Sequence, residues 1–200
     1  MAAFGRPFLF GACSPARNVC SALRILGNTN VFLVGPMGSG KTAVGRYLAR
    51  LLDLTFHDSD AEIERRTGVD IPFIFEKEGE AGFRQREREA IEFLTGMDHI
   101  VLATGGGAVL LPENRQRLGE RGCVVYLETS VAQQVERVKQ GRTRPLLSNV
   151  DTGSKLTQLM AERTPLYRGI ADVIVATDGR RVRSVADDIL RELYTARAVR

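Results

Sequence analysis

A glycine-rich segment carries the residues whose types and spacing most clearly indicate chemistry. Residues 35–42 have the sequence Gly-Pro-Met-Gly-Ser-Gly-Lys-Thr, which fits G-x-x-x-x-G-K-[ST], and an apolar run over 31–34 precedes them. Glycine permits the backbone turns that bring successive N–H groups against a phosphate. In this pattern the lysine reaches the β- and γ-phosphates, and the next hydroxyl serves Mg²⁺. The segment predicts a nucleoside triphosphate site formed by Gly38, Ser39, Gly40, Lys41, Thr42 and Ala43.

Two carboxylates follow the next apolar segment. Asp58 and Asp60 come directly after Leu54–His57, which has strand character. Asp58 is placed to hold Mg²⁺ together with Thr42, and Asp60 is placed to accept a proton from an attacking hydroxyl group. An isolated Asp-x-Asp is also typical of a helix N-cap, and this alternative stays open for Asp60. Beside a phosphate loop, a role in phosphoryl transfer is favoured.

Several further residues could bind an anion or a small substrate. Arg84 and Glu87 are three residues apart on a predicted helix, so Glu87 can fix the guanidinium for bidentate capture of a carboxylate. A solvated ion pair is the alternative. Gly105 to Gly107 follow the strand over 100–103, where backbone can approach a ligand or simply form a tight turn. Arg144 lies in a polar stretch that could close as a lid, whereas composition makes Arg163 only a helix arginine.

The elements that must position these residues alternate between strand and helix from residue 31 onward. Five short apolar segments behave as buried strands, and amphipathic segments separate them. This alternation predicts an α/β fold, a three-layer α/β/α domain with a five-stranded parallel sheet. Ligands of such sheets lie at the carboxyl ends of the strands. The phosphate loop, the two aspartates and the triple glycine should therefore meet at one edge.

Composition limits the other possibilities. The 200 residues carry a formal net charge of +4 and only 2 histidines, so a histidine metal site or catalytic triad is not expected. The basic residues are interspersed with acids, which argues against a nucleic-acid surface. No apolar run approaches the length of a membrane span. The three cysteines form no C-x-x-C, a pattern that fits the reducing cytoplasm.

The chain divides into two parts. Residues 1–28 contain three arginines, no acid and no periodic pattern, and we predict a disordered extension that catalysis does not need. Residues 29–200 are predicted to form a single domain, with a mobile lid around 139–151. We expect this domain to act as a monomer.

Taken together, six motifs in order resemble shikimate kinase, particularly its bacterial forms. The resemblance extends from about residue 30 to residue 194, and the phosphate loop is the most specific of its parts. The motifs are GPMGSGKT, DSDAEIERRTG, IFEKEGEAGFRQRE, ATGGGAV, RPLL and ERTPLY.

The resemblance implies a P-loop, nucleoside-monophosphate-kinase-like fold. It also implies transfer of the γ-phosphate of ATP, with Mg²⁺, to the 3-hydroxyl of shikimate, which gives shikimate 3-phosphate and ADP. That reaction belongs to aromatic amino-acid biosynthesis via chorismate, in the cytoplasm.

Matching the motifs assigns roles to residues that composition alone left open. Asp60 would contact the shikimate hydroxyls and act as base, and Arg84 and Arg163 would bind the carboxylate. Gly105, Gly106 and Gly107 would bring backbone against the substrate. The nucleotide would be held by Lys41, by Arg144 from the lid and by Arg137 against the adenine, with Thr42 and Asp58 serving Mg²⁺. Residues 177–181 match the family's adenine loop only loosely, so no single residue is assigned there.

Three alternatives remain at the level of sequence. A gluconate-type kinase would share the fold but should lack the FRxxE and RPLL motifs. A nucleotide kinase would need a base-reading pocket and a second phosphate site, and neither is evident. A non-catalytic nucleotide-binding protein would keep the glycine loop without needing Asp60, Arg84 and Arg163 together.

Overall fold

A five-stranded parallel sheet forms the centre of the molecule. The computed structural model describes residues 30–139 and 152–198. The spatial order of the strands is β2-β3-β1-β4-β5, and every neighbouring pair is parallel. This confirms the predicted five-stranded sheet. The strands are β1 Asn30–Val34, β2 Thr55–Asp58, β3 Ile100–Ala103, β4 Gly122–Glu128 and β5 Val173–Ala176.

Seven α-helices lie in the described residues, and helical segments connect the successive strands. A short 3₁₀ turn, Ala108–Leu110, also follows β3. The helices are α1 Lys41–Leu52, α2 Ser59–Thr67, α3 Ile71–Thr95, α4 Pro112–Arg121, α5 Val131–Lys139, α6 Thr152–Ile170 and α7 Val182–Ala198.

Strand β1 is central because its side chains are apolar on both faces. Residues 31–34 have no exposed surface, as expected for a parallel strand covered on both sides. On one face, Val31 and Leu33 pack in a cluster with side chains of α1 and α7. On the other face, Phe32 and Val34 pack with side chains of α3, α4 and α6. The two clusters establish the predicted three-layer α/β/α architecture.

A third, smaller apolar cluster lies away from the sheet. It consists of four buried side chains from α2 and α3. Helix α3 is kinked at Gly79, where φ is 67°, and an ion pair of 2.6 Å between Glu78 and Arg86 spans the kink. Gly79 is a residue typical of helix ends and predicts two helical segments here, and the kink divides α3 at that residue. The buried side chains of this cluster are Ile63, Ile74, Phe83 and Ala90.

Some local predictions were wrong in detail. Asp58 is the N-cap of α2, since its side chain accepts a hydrogen bond of 3.1 Å from the Asp60 N–H. The alternative that Asp60 caps this helix is therefore wrong. The spacing of Ser130 and Gln133 predicts a capping box, but only half of it forms: the Ser130 hydroxyl accepts from the N–H of Gln133 at 3.3 Å, while the Gln133 side chain accepts from the Gly179 N–H instead. Pro165 predicts a break or a bend in α6, and the helix continues from Thr152 to Ile170 without a break.

Two predicted segments lie outside the described residues. They are the N-terminal extension over 1–28 and the lid around 139–151 apart from Lys139. Within residues 30–139 and 152–198, no helix combines the length and apolarity needed to cross a bilayer.

Candidate active site

The phosphate loop joins β1 to α1. Gly35, Gly38 and Gly40 have φ values of 144°, 75° and 90°, which residues with a side chain rarely adopt. Lys41 is nearly buried, and its Nζ donates to the carbonyl oxygens of Gly35 and Pro36, both at 2.7 Å. The lysine side chain therefore folds over the loop that precedes it, which keeps its positive charge at the centre of the cradle.

A hydroxyl and a carboxylate from different elements meet beside this loop. Thr42, in the first turn of α1, donates to Asp58 Oδ2 over 2.8 Å, while Asp58 Oδ1 caps α2. Hydroxyl and carboxylate oxygens are the kinds of ligand that Mg²⁺ accepts. Because Thr42 and Asp58 already lie within hydrogen-bond distance, the pair fits a magnesium ion bound beside the phosphates. Among residues 30–139 and 152–198, no cluster of three His, Cys, Asp or Glu side chains offers another metal site.

The triple glycine brings two carboxylates close to one backbone atom. A Cβ built on Gly105 would lie 2.7 Å from Asp60 Oδ1 and 2.8 Å from Glu87 Oε1. The buried Ser59 hydroxyl accepts from the Gly105 N–H at 2.8 Å, and this bond joins the start of α2 to the triple glycine. Gly105 is thus a position where the absence of a side chain lets two acidic groups approach the same point.

Arg84 and Glu87 form a buried ion pair rather than a solvated one. Arg84 Nη1 donates to Glu87 Oε2 at 2.7 Å, and Glu87 has no exposed surface. Arg84 also contacts Glu80 at 2.9 Å from the solvent side. Burial raises the pKa of Glu87, although the positive charges of Arg84 and Arg163 oppose the increase. The alternative of a surface salt bridge is wrong for this pair, and the guanidinium of Arg84 is held from two sides.

Arg163 enters the site from α6. Its side chain is buried, and Nη1 donates to the carbonyl oxygen of Gly106 at 3.3 Å. Tyr167, one turn later on α6, donates to the same oxygen. On the other side of the turn, a Cβ on Gly107 would overlap the Arg84 guanidinium. The triple glycine is therefore packed between the two arginines predicted to bind a carboxylate.

Arg137 links the phosphate loop to the segment after β5. Its guanidinium donates to the carbonyl oxygen of Gly38 at 2.8 Å and to that of Thr177 at 3.3 Å. The Thr177 hydroxyl in turn bonds that of Thr129 at 2.6 Å. These contacts place Arg137 between the phosphate loop and residues 177–181, the side of the site where the adenine was expected.

One cavity, with a volume of about 330 Å³, joins most of the predicted residues. It does not include Ser39, Gly105, Gly107, Arg84 or Arg163 in its wall. Arg84 and Arg163 approach it through the triple glycine, and Arg144 lies outside the described residues. The wall consists of Met37, Gly38, Gly40, Lys41, Thr42, Ala43, Asp58, Asp60, Thr104, Gly106 and Arg137.

Known proteins show to which family this chain belongs. A family model described as shikimate kinase matches residues 37–194. A shikimate kinase from Halorhodospira halophila is 58% identical over 165 residues, which cover 82% of this chain and 93% of the relative. The chain belongs to the shikimate kinase family.

Solved structures agree with that assignment. The shikimate kinase from Acinetobacter baumannii, in complex with shikimate, has a TM-score of 0.84 and 47% identity, covering 87% of this chain and 97% of its own. A gluconokinase from Sinorhizobium meliloti has a TM-score of 0.57 at 16% identity, covering 86% of this chain and 94% of its own, and this likeness shows the fold alone.

Membership in the shikimate kinase family confirms the predicted enzyme class and P-loop fold. The chain is a shikimate kinase by family, a phosphotransferase of aromatic amino-acid biosynthesis that uses ATP and Mg²⁺. Relatives at more than half identity carry the shikimate kinase name, and the gluconate-type kinase resembles this chain only in fold. The gluconate-type and non-catalytic alternatives are not favoured.

Sequence reasoning missed three residues that line or anchor this candidate site. Ser59 anchors the triple glycine, Thr104 lines the cavity, and Tyr167 bonds the Gly106 carbonyl. A weak signal existed for two of them, because Ser59 separates the two aspartates and Tyr167 lies four residues after Arg163 on one helix face. The partner of each hydroxyl is 46 or 61 residues away in sequence, so no local spacing could reveal it.

Proposed function

We propose that Asp60 aligns the 3-hydroxyl of shikimate with the γ-phosphate of ATP and accepts its proton. The observation that carries this proposal is the presence of Asp60 in the same cavity wall as Lys41 and Thr42. Phosphoryl transfer depends chiefly on positioning and charge stabilisation, and the acceptor oxygen must lie in line with the leaving oxygen. A carboxylate beside the phosphate cradle meets that requirement without a metal-bound base.

The nucleotide half of the site comprises residues 35–43, Asp58 and Arg137. Backbone N–H groups of the loop would contact the phosphates, and Lys41 would neutralise charge on the transferring group. Thr42 and Asp58 would hold Mg²⁺, which neutralises negative charge on the phosphates when it is bound. Arg137 would lie against the adenine, and Arg144 would close over the phosphates from the lid.

The acceptor half comprises Asp60, Arg84, Glu87, Gly105–Gly107 and Arg163. Two guanidinium groups flank the triple glycine, so a small carboxylate could pair with both while its hydroxyls face Asp60. Glu87 lies beside both positive charges and offsets part of them when the substrate is absent. This complement of two arginines and one carboxylate suits a small hydroxylated acid.

We also infer a monomeric cytoplasmic enzyme with one catalytic domain from residue 29 onward. The family match begins at residue 37, which supports an extension over 1–28 without a catalytic part. Many surface arginines are already paired with acids on the same surface, which argues against binding to nucleic acid or membrane. Light scattering of the purified chain would test the monomer, and an unchanged kcat after removal of residues 1–28 would support the domain division.

The reaction itself is tested by ADP release with shikimate, with gluconate or with no acceptor. We expect turnover with shikimate and only background rates in the other two reactions. Mass measurement of the product should show a single added phosphate on shikimate. Equal turnover without an acceptor, or a preference for gluconate, would contradict the proposed function.

A further inference from the structure

The hydroxyl of Tyr167 makes an unusual contact for a core residue. Tyr167 has no exposed surface, and its ring stacks on that of Tyr126 with centroids 5.0 Å apart. The stack lies in the apolar cluster on the face of the sheet that α3, α4 and α6 cover, yet the Tyr167 hydroxyl extends to the Gly106 carbonyl at the wall of the cavity. A phenylalanine would satisfy the packing, so the hydroxyl must be explained by its contact with Gly106.

Two donors share the Gly106 carbonyl, and they are unequal. The Tyr167 hydroxyl makes a short bond of 2.5 Å, whereas Arg163 Nη1 lies at 3.3 Å, near the limit of a hydrogen bond. Burial raises the pKa of Tyr167, although the charge of Arg163 opposes the increase, so the hydroxyl stays protonated and can donate. The carbonyl is therefore satisfied mainly by the tyrosine.

The weak hydrogen bond to Gly106 leaves the guanidinium of Arg163 able to bind an anion. Its Nε is buried and makes no hydrogen bond to the described residues. A buried guanidinium with an unsatisfied N–H favours an incoming carboxylate, because binding then restores a lost hydrogen bond. Without the Tyr167 hydroxyl, the Gly106 carbonyl would have Arg163 as its remaining hydrogen-bond donor. The carbonyl would then compete with the substrate carboxylate for the guanidinium of Arg163.

The same bond also fixes the direction of the glycine backbone. The peptide between Gly106 and Gly107 is planar and trans, so orienting its carbonyl toward α6 turns its N–H to the opposite side. Glycine has little conformational preference of its own, and an external anchor is needed to hold one orientation.

We propose that Tyr167 is a positioning residue for the acceptor substrate, acting through Gly106 and Arg163. Its hydroxyl donates a hydrogen bond to the Gly106 carbonyl. This bond keeps Arg163 available to the substrate carboxylate and holds the glycine backbone against the substrate. This inference rests on the proposed function, since it assigns Arg163 to the carboxylate of shikimate.

Tyr167→Phe removes only the hydroxyl and tests the proposal in the full-length enzyme. We expect the KM for shikimate to rise roughly three- to tenfold, the scale of one hydrogen bond, with kcat and the KM for ATP changed less than about twofold. Tyr126→Phe is the matched control, because it removes the same group from the same stack and no hydrogen bond joins its hydroxyl to Gly106 in the described residues. The control should leave both KM values unchanged.

A double-mutant cycle with Arg163→Lys tests the route of the effect. If Tyr167 acts through Arg163, the two KM increases will not multiply, and the double variant will resemble Arg163→Lys alone. A multiplicative result would show an independent effect and overturn the route through Arg163. A lower melting temperature of Tyr167→Phe with an unchanged shikimate KM would make the hydroxyl purely structural and overturn the proposal.

These outcomes separate this inference from the function on which it rests. Wild-type turnover with shikimate together with an unaffected Tyr167→Phe variant would reject the inference and leave the function intact. Absence of wild-type turnover with shikimate would reject the proposed function itself.

Discussion

The two halves of the site are built by different means. The proposed nucleotide half takes six of its cavity-wall residues from one segment of the chain, and its shape depends on glycine backbone at positive φ. The acceptor half takes its residues from four separate segments and depends on side chains, a buried ion pair and hydroxyl anchors. A phosphate is recognised largely by backbone N–H groups of one glycine-rich segment, whereas a specific acid needs side-chain charges at fixed places.

This contrast explains how one fold can serve different acceptors. The gluconokinase from Sinorhizobium meliloti shares the fold at 16% identity. A local, backbone-made nucleotide site can persist while dispersed side chains change, so the fold alone does not define the acceptor. We therefore expect substitutions in the two halves to separate cleanly in their kinetic effects.

The largest effect should come from Asp60, where the two halves meet. We expect Asp60→Asn to lower kcat by about 10²-fold or more, because the amide cannot accept the proton of the attacking hydroxyl. Initial rates at saturating ATP and shikimate would measure it. Asp70→Asn is the matched control, since Asp70 caps α3 through the Phe73 N–H and asparagine caps equally well. A near-normal kcat for Asp60→Asn would remove Asp60 from the role of base.

Gly105→Ala should disturb the acceptor half without changing any charge. The added methyl group would overlap the carboxylates of Asp60 and Glu87, so both must move. We expect kcat to fall roughly 10- to 100-fold, the cost of displacing a reacting group by about an ångström. Gly119→Ala in α4 has open space around the new methyl group and should behave as wild type. Equal kcat values for the two variants would show that Gly105 does not position Asp60.

Arg84→Lys should act on substrate binding rather than on turnover. It keeps a positive charge beside Glu87 but removes the planar guanidinium, so we expect the shikimate KM to rise about tenfold with the ATP KM unchanged. Arg84→Ala should raise this KM further and also lower the melting temperature, because buried Glu87 loses its partner. Arg86→Lys, at the surface pair with Glu78, is the control. An unchanged shikimate KM in both Arg84 variants would contradict carboxylate capture.

Arg137→Ala should give the smallest effect, and it should change the KM for ATP rather than the KM for shikimate. It removes the link between the Gly38 and Thr177 carbonyls, and we expect the ATP KM to rise about three- to tenfold while the shikimate KM is unchanged. Arg168→Ala removes a surface arginine paired with Glu128 and provides the control. Similar increases in both KM values would show that the two halves are not separable.

The difference between a contiguous nucleotide half and a dispersed acceptor half also determines what could be predicted from the sequence. The strands, the layers and the phosphate loop follow from hydrophobic patterns and from one contiguous motif, whose physical meaning is local. Asp58 and Asp60 were predicted for a similar local reason, because they lie at the end of the strand segment that follows that motif in the chain. Here the structure adds that Asp58 also caps α2.

The arginines of the acceptor half could not be assigned from spacing alone. Arg84 and Glu87 had the separation of an ordinary surface pair, and only the packing of α3 against the triple glycine buries Glu87. Arg163 carried no signal of its own, and its contact with Gly106 crosses 57 positions of sequence. Long-range packing creates these contacts, so only the family resemblance could suggest them from sequence.

The third apolar cluster has a consequence for how the molecule opens. Among the described residues, the apolar cluster that joins α2 to α3 has four buried side chains, whereas the clusters on the two faces of the sheet are each much larger. Regions with few buried contacts unfold locally at a lower free energy than the whole domain. Backbone amides of α2 and of α3 before Gly79 should therefore exchange with deuterium through local opening, while those of β1 exchange only on global unfolding. Within residues 30–139 and 152–198, the segment that carries Asp60 would then be the least protected part of the catalytic machinery.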